Sequence, residues 1–169
     1  DIDPEKVDLI NKGKSYIRHI DPLRISQLVD NGRFSSSYDF SLVKDIDAII
    51  ICVPTPLNLY REPDLSYIRS TLKSLSPYLR KGQVLSLEST TYPGTTNEEI
   101  LPIIESLGLK IGEDFFLVYS PEREDPGNEE YSTKNIPKIV SGITDSCLEV
   151  ATALYEKIVN QVVKVSDTK

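Results

Sequence analysis

Residues 47–53 read Asp47-Ala48-Ile49-Ile50-Ile51-Cys52-Val53, a short β-branched run closed at once by Pro54-Thr55-Pro56. Four to eight apolar residues bounded by turn residues predict a buried strand, and one that is apolar on both faces predicts helices covering each side. Four similar runs follow: Gln83-Val84-Leu85-Ser86-Leu87, Phe115-Phe116-Leu117-Val118-Tyr119, Pro137-Lys138-Ile139-Val140-Ser141 and Gln161-Val162-Val163-Lys164-Val165. Stretches of helical period separate most of them, the alternation expected of parallel strands joined by crossover helices. The predicted class is α/β: a doubly wound, mostly parallel Rossmann-like sheet with helices on both faces.

The helices carry their own punctuation. Leu65, Ile68, Leu72, Leu75 and Leu79 recur at helical spacing, with Asp64 placed to cap the start and Gly82 beyond the end. Thr95-Thr96-Asn97-Glu98 reads as a capping box opening a helix through Ile100, Leu101, Ile104 and Leu107 that closes near Gly108. A further helix is expected from about Thr144 to Ile158. Near the start, Asp3-Pro4-Glu5 offers a capping carboxylate and a proline at the first helical position, with Val7 and Ile10 apolar and Gly13 as terminator. The longest irregular stretch, residues 120–135, is rich in charge, proline and glycine, and loops of that length in a compact domain are often functional.

With 39% hydrophobic and 27% charged residues over 169 positions, the composition is that of one ordinary globular domain, which excludes disorder and collagen-like repeats. The formal net charge of −7 argues against a broad basic face for nucleic acid or for an anionic membrane. No run approaches the roughly 20 apolar residues that span a bilayer, and Asp1-Ile2-Asp3-Pro4 lacks a signal peptide's layout, so a cytoplasmic location is expected. Cys52 and Cys147 match neither a disulfide framework nor zinc-ligand spacing; both are read as structural, and no metal site is predicted. His19, between two helices, is read as a loop histidine.

An aspartate followed at once by a capped helix looks like the end of the second strand of a nucleotide-binding βαβ unit, where an acidic residue takes the adenosine ribose hydroxyls. The Gly-rich turn that should precede it, G-x-G-x-x-G, occurs nowhere in these residues. The alternative is that Asp1 and Asp3 only cap the helix.

Three segments together resemble the nucleotide-sugar 6-dehydrogenases, the UDP-glucose dehydrogenase family, and most closely its UDP-N-acetylglucosamine branch. They are Ile51-Cys52-Val53-Pro54-Thr55-Pro56-Leu57 with Arg61-Glu62-Pro63-Asp64-Leu65-Ser66-Tyr67, then Leu87-Glu88-Ser89-Thr90-Thr91-Tyr92-Pro93-Gly94-Thr95, then Tyr119-Ser120-Pro121-Glu122-Arg123-Glu124-Asp125-Pro126-Gly127-Asn128. The resemblance implies that residues 1–169 are part of an NAD-binding domain, with the first strand, the Gly-rich turn, a central helix and a UDP-sugar-binding C-terminal domain lying outside them. It also implies NAD-dependent oxidation of the C6 hydroxyl of a UDP-N-acetylhexosamine to the uronic acid, for surface polysaccharide, by a homodimeric enzyme. The family's nucleophilic cysteine has a Gly-rich context that neither Cys52 nor Cys147 shares, so the 169 residues alone are expected to be inactive.

Each motif follows a predicted strand, where open α/β sheets place their ligands. By resemblance, Asp1, Lys6, Val53, Pro54, Thr55 and Thr90 contact the cofactor, and Thr90 holds a water near the reacting carbon. Glu122 matches a glutamate that acts as general base or positions a water, and Glu122, Arg123, Glu124 and Asp125 match the loop that holds the sugar nucleotide. Glu88 precedes its motif on the strand and is assigned no chemistry. Plainer alternatives stand beside these roles: a rigid turn at Pro54, local capping at Ser89-Thr90-Thr91, a solvated charged loop at 120–125. At the level of the whole chain, the alternatives are a non-catalytic nucleotide-binding or interaction module, or another NAD-dependent alcohol or hydroxy-acid dehydrogenase of the same fold.

Overall fold

A computed structural model describes residues 1–17, 20–122 and 135–168. The chain forms two compact units, Asp1–Phe40 and Ser41–Lys169.

The first unit holds two short helices, α1 (Pro4–Asn11) and α2 (Pro22–Asp30), and no strand among its described residues. Both begin on the predicted kind of signal. Asp3 accepts from the amides of Glu5 and Lys6 ahead of Pro4, and Asp21 accepts from Leu23 ahead of Pro22. Gly13 ends the first helix at φ +69°, and a Cβ there would lie 2.8 Å from the Ser26 side chain, so only glycine suits the position.

The second unit contains the sheet. Its strands are β1 (Ala48–Ile51), β2 (Gln83–Leu87), β3 (Phe115–Tyr119), β4 (Lys138–Gly142) and β5 (Val162–Lys164), in spatial order β1-β2-β3-β4-β5. All five fall on the runs read from sequence. Helices α3 (Ser66–Leu75), α4 (Leu101–Ser106) and α5 (Asp145–Tyr155) lie in the connections β1–β2, β2–β3 and β4–β5. Alternation divides the core. Val84, Val118 and Val140 pack with Cys147, Ala151 and Tyr155 of α5 on one face. Leu85, Leu87, Phe115 and Leu117 are equally sealed on the other, where Ile68 and Leu72 of α3 and Ile100 and Ile104 at α4 are the fully buried side chains available to cover them.

Four features depart from expectation. β4 pairs antiparallel to β3, Val118 opposite Gly142 and Tyr119 opposite Ser141, so the chain re-enters the sheet at the edge where it left. β1 is an end strand whose Ile50 is 41% exposed, so it is not covered on both faces. The helix expected to run through Leu79 stops at Leu75, because Pro77 supplies no amide and the chain tightens into a 3-10 turn over Ser76–Tyr78. The capping box at Thr95 does not form: the Thr95 hydroxyl donates to the Tyr92 carbonyl at 2.8 Å, and the helix opens with a π-helical turn over Thr96–Ile100. Among the described residues no helix is long and apolar enough to cross a membrane.

Candidate functional site at the carboxyl edge of the sheet

The parallel strands β1, β2 and β3 end together, and the residues just past them form one edge. The ladder continues beyond the strands: Glu88 N–H donates to the Ile51 carbonyl, Ser120 N–H to that of Leu87, and Glu122 N–H to that of Glu88. The antiparallel register of β3 with β4, extended past Tyr119, sets Glu122 opposite Lys138.

Two strand-exit turns are tied together here. The Ser89 hydroxyl donates to the Val53 carbonyl at 2.7 Å, and the Thr55 hydroxyl donates to the Thr90 carbonyl at 2.5 Å. Thr55 is therefore committed as a donor and offers only an acceptor to a ligand. The prolines on either side of it contribute no amide donor, which leaves carbonyls and the exposed Thr90 side chain as the polar surface of this part of the edge.

Behind these turns lies a charge cluster that joins the motif residues Glu88 and Glu122 to Lys138, which no motif contains. Lys138 Nζ lies 3.0 Å from Glu88 Oε2 and 2.9 Å from Glu122 Oε2. The Lys138 and Glu88 side chains are 8% and 9% exposed, whereas Glu122 is 40% exposed. The Tyr155 hydroxyl, from the last turn of α5, donates to Glu88 Oε1 at 2.5 Å and lies 2.7 Å from the Ser86 hydroxyl. Lys138 Nζ also sits 5.6 Å from the centre of the Tyr155 ring, within reach of a cation–π contact. The buried Glu88–Lys138 pair is thus hydrogen-bonded on both sides, and removing one partner would strand the other charge at a cost of about 3–5 kcal/mol.

The electrostatics follow from this packing. Desolvation pulls the Lys138 ammonium down, but hydrogen bonds to Glu122 and Glu88, with the charges of both, outweigh it and leave the group raised. Burial, then the bond to Glu88, pushes the Tyr155 phenol up, so it stays protonated. Cys52 points its thiol toward Glu88 Oε2 at 3.9 Å, and desolvation together with the Glu88 charge pushes it up to about 11. A thiol held protonated is a poor nucleophile, which agrees with a structural role for Cys52. Cys147 is buried and accepts from the Leu117 amide.

The remaining sequence-predicted residues divide. In the first unit, Asp1 Oδ1 accepts from the Asp3 amide at 3.0 Å, and the exposed Lys6 pairs with Asp3 at 3.6 Å, across which distance and exposure little stability is gained. Asp3, not Asp1, supplies the helix cap. Arg123, Glu124, Asp125 and His19 lie outside the described residues.

The family model for the UDP-glucose/GDP-mannose dehydrogenase family, NAD binding domain, matches residues 1–159. The chain belongs to this family. It is 32% identical over 160 residues to the UDP-N-acetyl-D-glucosamine 6-dehydrogenase of Pseudomonas aeruginosa, covering 94% of this chain and 37% of that protein. Among solved structures, an NDP-N-acetyl-D-galactosaminuronic acid dehydrogenase from Methanosarcina mazei Go1 superposes with a TM-score of 0.88 at 31% identity, over 98% of this chain and 36% of its own. The UDP-D-ManNAc dehydrogenase of Pyrococcus horikoshii superposes at 0.90 with 28% identity, over 99% and 40%. The chain therefore spans well under half the length of the family members it matches, and that part is the NAD-binding domain.

The contacts of Glu88 with Lys138 and Tyr155 escaped motif reading because 50 and 67 positions separate Glu88 from its two partners. One signal was available: charges of opposite sign, Glu88 and Lys138, each flank an apolar strand, one at its exit and one at its entry. An antiparallel β4 brings those two ends to the same edge.

Proposed function

We propose that the protein of which these residues form the NAD-binding part oxidises the C6 hydroxyl of a UDP-N-acetylhexosamine, UDP-N-acetylglucosamine first, to the uronic acid. One observation carries the reading: Glu122, the residue that resembles the family's catalytic glutamate, lies on the same sheet edge as the Val53–Thr55 and Ser89–Thr90 turns, with its carboxylate held by a buried cation. The exposed Thr90 side chain and the carbonyl-rich turn beside it suit an amide and hydroxyl-bearing ligand such as the nicotinamide riboside. NAD, when bound, supplies the hydride acceptor. The chain's own residues then do three things: the Thr55–Thr90 bond fixes the two turns, Thr90 orients water or substrate near the reacting carbon, and Glu122 accepts a proton. Asp1, with one carboxylate oxygen on the Asp3 amide, keeps its second for a ribose hydroxyl. Arg123, Glu124 and Asp125 are proposed to hold the sugar nucleotide, and the whole protein to work as a homodimer in the cytoplasm.

The test is direct. The full-length protein is mixed with NAD and, separately, with UDP-N-acetylglucosamine, UDP-N-acetylmannosamine, UDP-N-acetylgalactosamine and UDP-glucose, and NADH is followed by absorbance. NADH should form with the N-acetylhexosamines, fastest with UDP-N-acetylglucosamine. Formation only with UDP-glucose would correct the substrate class, and none with any sugar would refute the dehydrogenase.

A further inference from the structure

The buried pair Glu88–Lys138 is neutral and would be complete on its own. Yet Lys138 Nζ extends a second bond to Glu122, a carboxylate four-tenths exposed at the open edge. The ammonium therefore bridges the sealed interior and the open edge. Tyr155 completes the wall: its hydroxyl holds the Glu88 oxygen that Lys138 does not, and its ring faces the ammonium. Ser86 on β2 faces the Tyr155 hydroxyl rather than Glu88, and the Cys52 thiol faces Glu88 from the exit of β1.

Resting on the dehydrogenase reading above, we propose that Lys138 is a positioning residue for the reaction: clamped by Glu88 and Tyr155, it fixes the Glu122 carboxylate at the sheet edge and keeps it ionised. A carboxylate beside a fixed cation loses its proton more readily and has fewer orientations to search. Lys138 touches neither sugar nor cofactor in this role; it acts through Glu122.

The experiment uses the full-length protein, with NAD and UDP-N-acetylglucosamine or whichever N-acetylhexosamine the parent oxidises. Lys138→Met strands the Glu88 charge, so it is paired with Lys138→Met/Glu88→Gln, which leaves a neutral, similarly sized interior, and both are assayed where melting curves show them folded. In the double variant kcat should fall by about tenfold or more, part or all of the ~10²–10⁴-fold that a general base contributes. KM for both ligands should stay within about threefold, and the acid limb of the kcat profile should move to higher pH by about one unit. Lys138→Arg, which keeps a cation, should return the limb toward its original place. A folded double variant with kcat within about twofold of the parent would overturn the proposal. So would a loss of rate with the acid limb unmoved, since that is what a purely structural ion pair produces. A parent that makes no NADH with any sugar refutes the dehydrogenase reading instead, a result distinct from an active parent with an equally active variant.

Discussion

At the scale of single residues, the two aspartates that open the chain have separable jobs. Asp3 caps α1 through two amides, and the Asp1 carboxylate accepts from the Asp3 amide. If Asp1 also takes the adenosine ribose hydroxyls, its charge disfavours the 2′-phosphate of NADP. Asp1→Ala in the full-length protein should then weaken NAD by about 10- to 100-fold, the worth of a hydrogen bond to a charged group, and narrow the gap to NADP. Dissociation constants for both cofactors decide it; an unchanged NAD-to-NADP ratio removes Asp1 from the site. Asp3→Ala should instead lower stability by about 1 kcal/mol and leave that ratio alone. The cap at Asp3 was legible in sequence because a cap is local, and Glu122 stood out because its motif is contiguous. Lys138 did not, because its contacts with Glu88 and Glu122 are set by strand register rather than by its neighbours in the chain.

At the scale of elements, the five strands stand where the apolar runs put them, since a run bounded by turn residues leaves little choice. What the runs could not carry was direction: the antiparallel β4 depends on how the long connection after Ser120 returns, and no period records that. Local competition also escaped reading, as at Thr95, where a side-chain bond to Tyr92 replaces the cap, and at Pro77, which cuts α3 short. The contact of β4 with α5 hinges on Gly142. A Cβ there would lie 2.8 Å from the Cys147 backbone carbonyl carbon and would also strike the Leu148 amide. Because these are backbone atoms within a capped helix, they cannot yield cheaply, and Gly142→Ala should cost about 3 kcal/mol, in the upper range for overpacking. Denaturant unfolding of the variant against the parent measures this; a loss below about 0.5 kcal/mol would mean that α5 slides freely on the sheet.

For the molecule as a whole, the buried network sets how stability responds to alkali. The Tyr155 phenol and the Cys52 thiol are raised by burial and by Glu88, and the Lys138 ammonium is raised by its two carboxylates over the opposing effect of burial. Each group therefore binds its proton more tightly folded than unfolded. Their stabilisation is fully present below the unfolded values, about 8.5 for Cys and 10 for Tyr and Lys, and is lost as pH rises through the folded ones. The melting temperature should fall steeply above about pH 10, and Tyr155→Phe, which removes one of these protons, should make that fall shallower. An alkaline decline as steep in Tyr155→Phe as in the parent would exclude the phenol from it.

The chain has nine tyrosines, four phenylalanines and no tryptophan, so phenols dominate its near-ultraviolet absorption and its fluorescence. One of the nine tyrosines, Tyr155, donates a hydrogen bond to a buried carboxylate. A phenol so placed absorbs further to the red than its solvated counterparts, and on excitation it can pass its proton to Glu88 and go dark. Opening the sheet edge would release it, shifting its band back and restoring its emission. The group that walls in Lys138 thus doubles as a chromophore whose colour and brightness report, without any added label, whether the charge cluster is assembled.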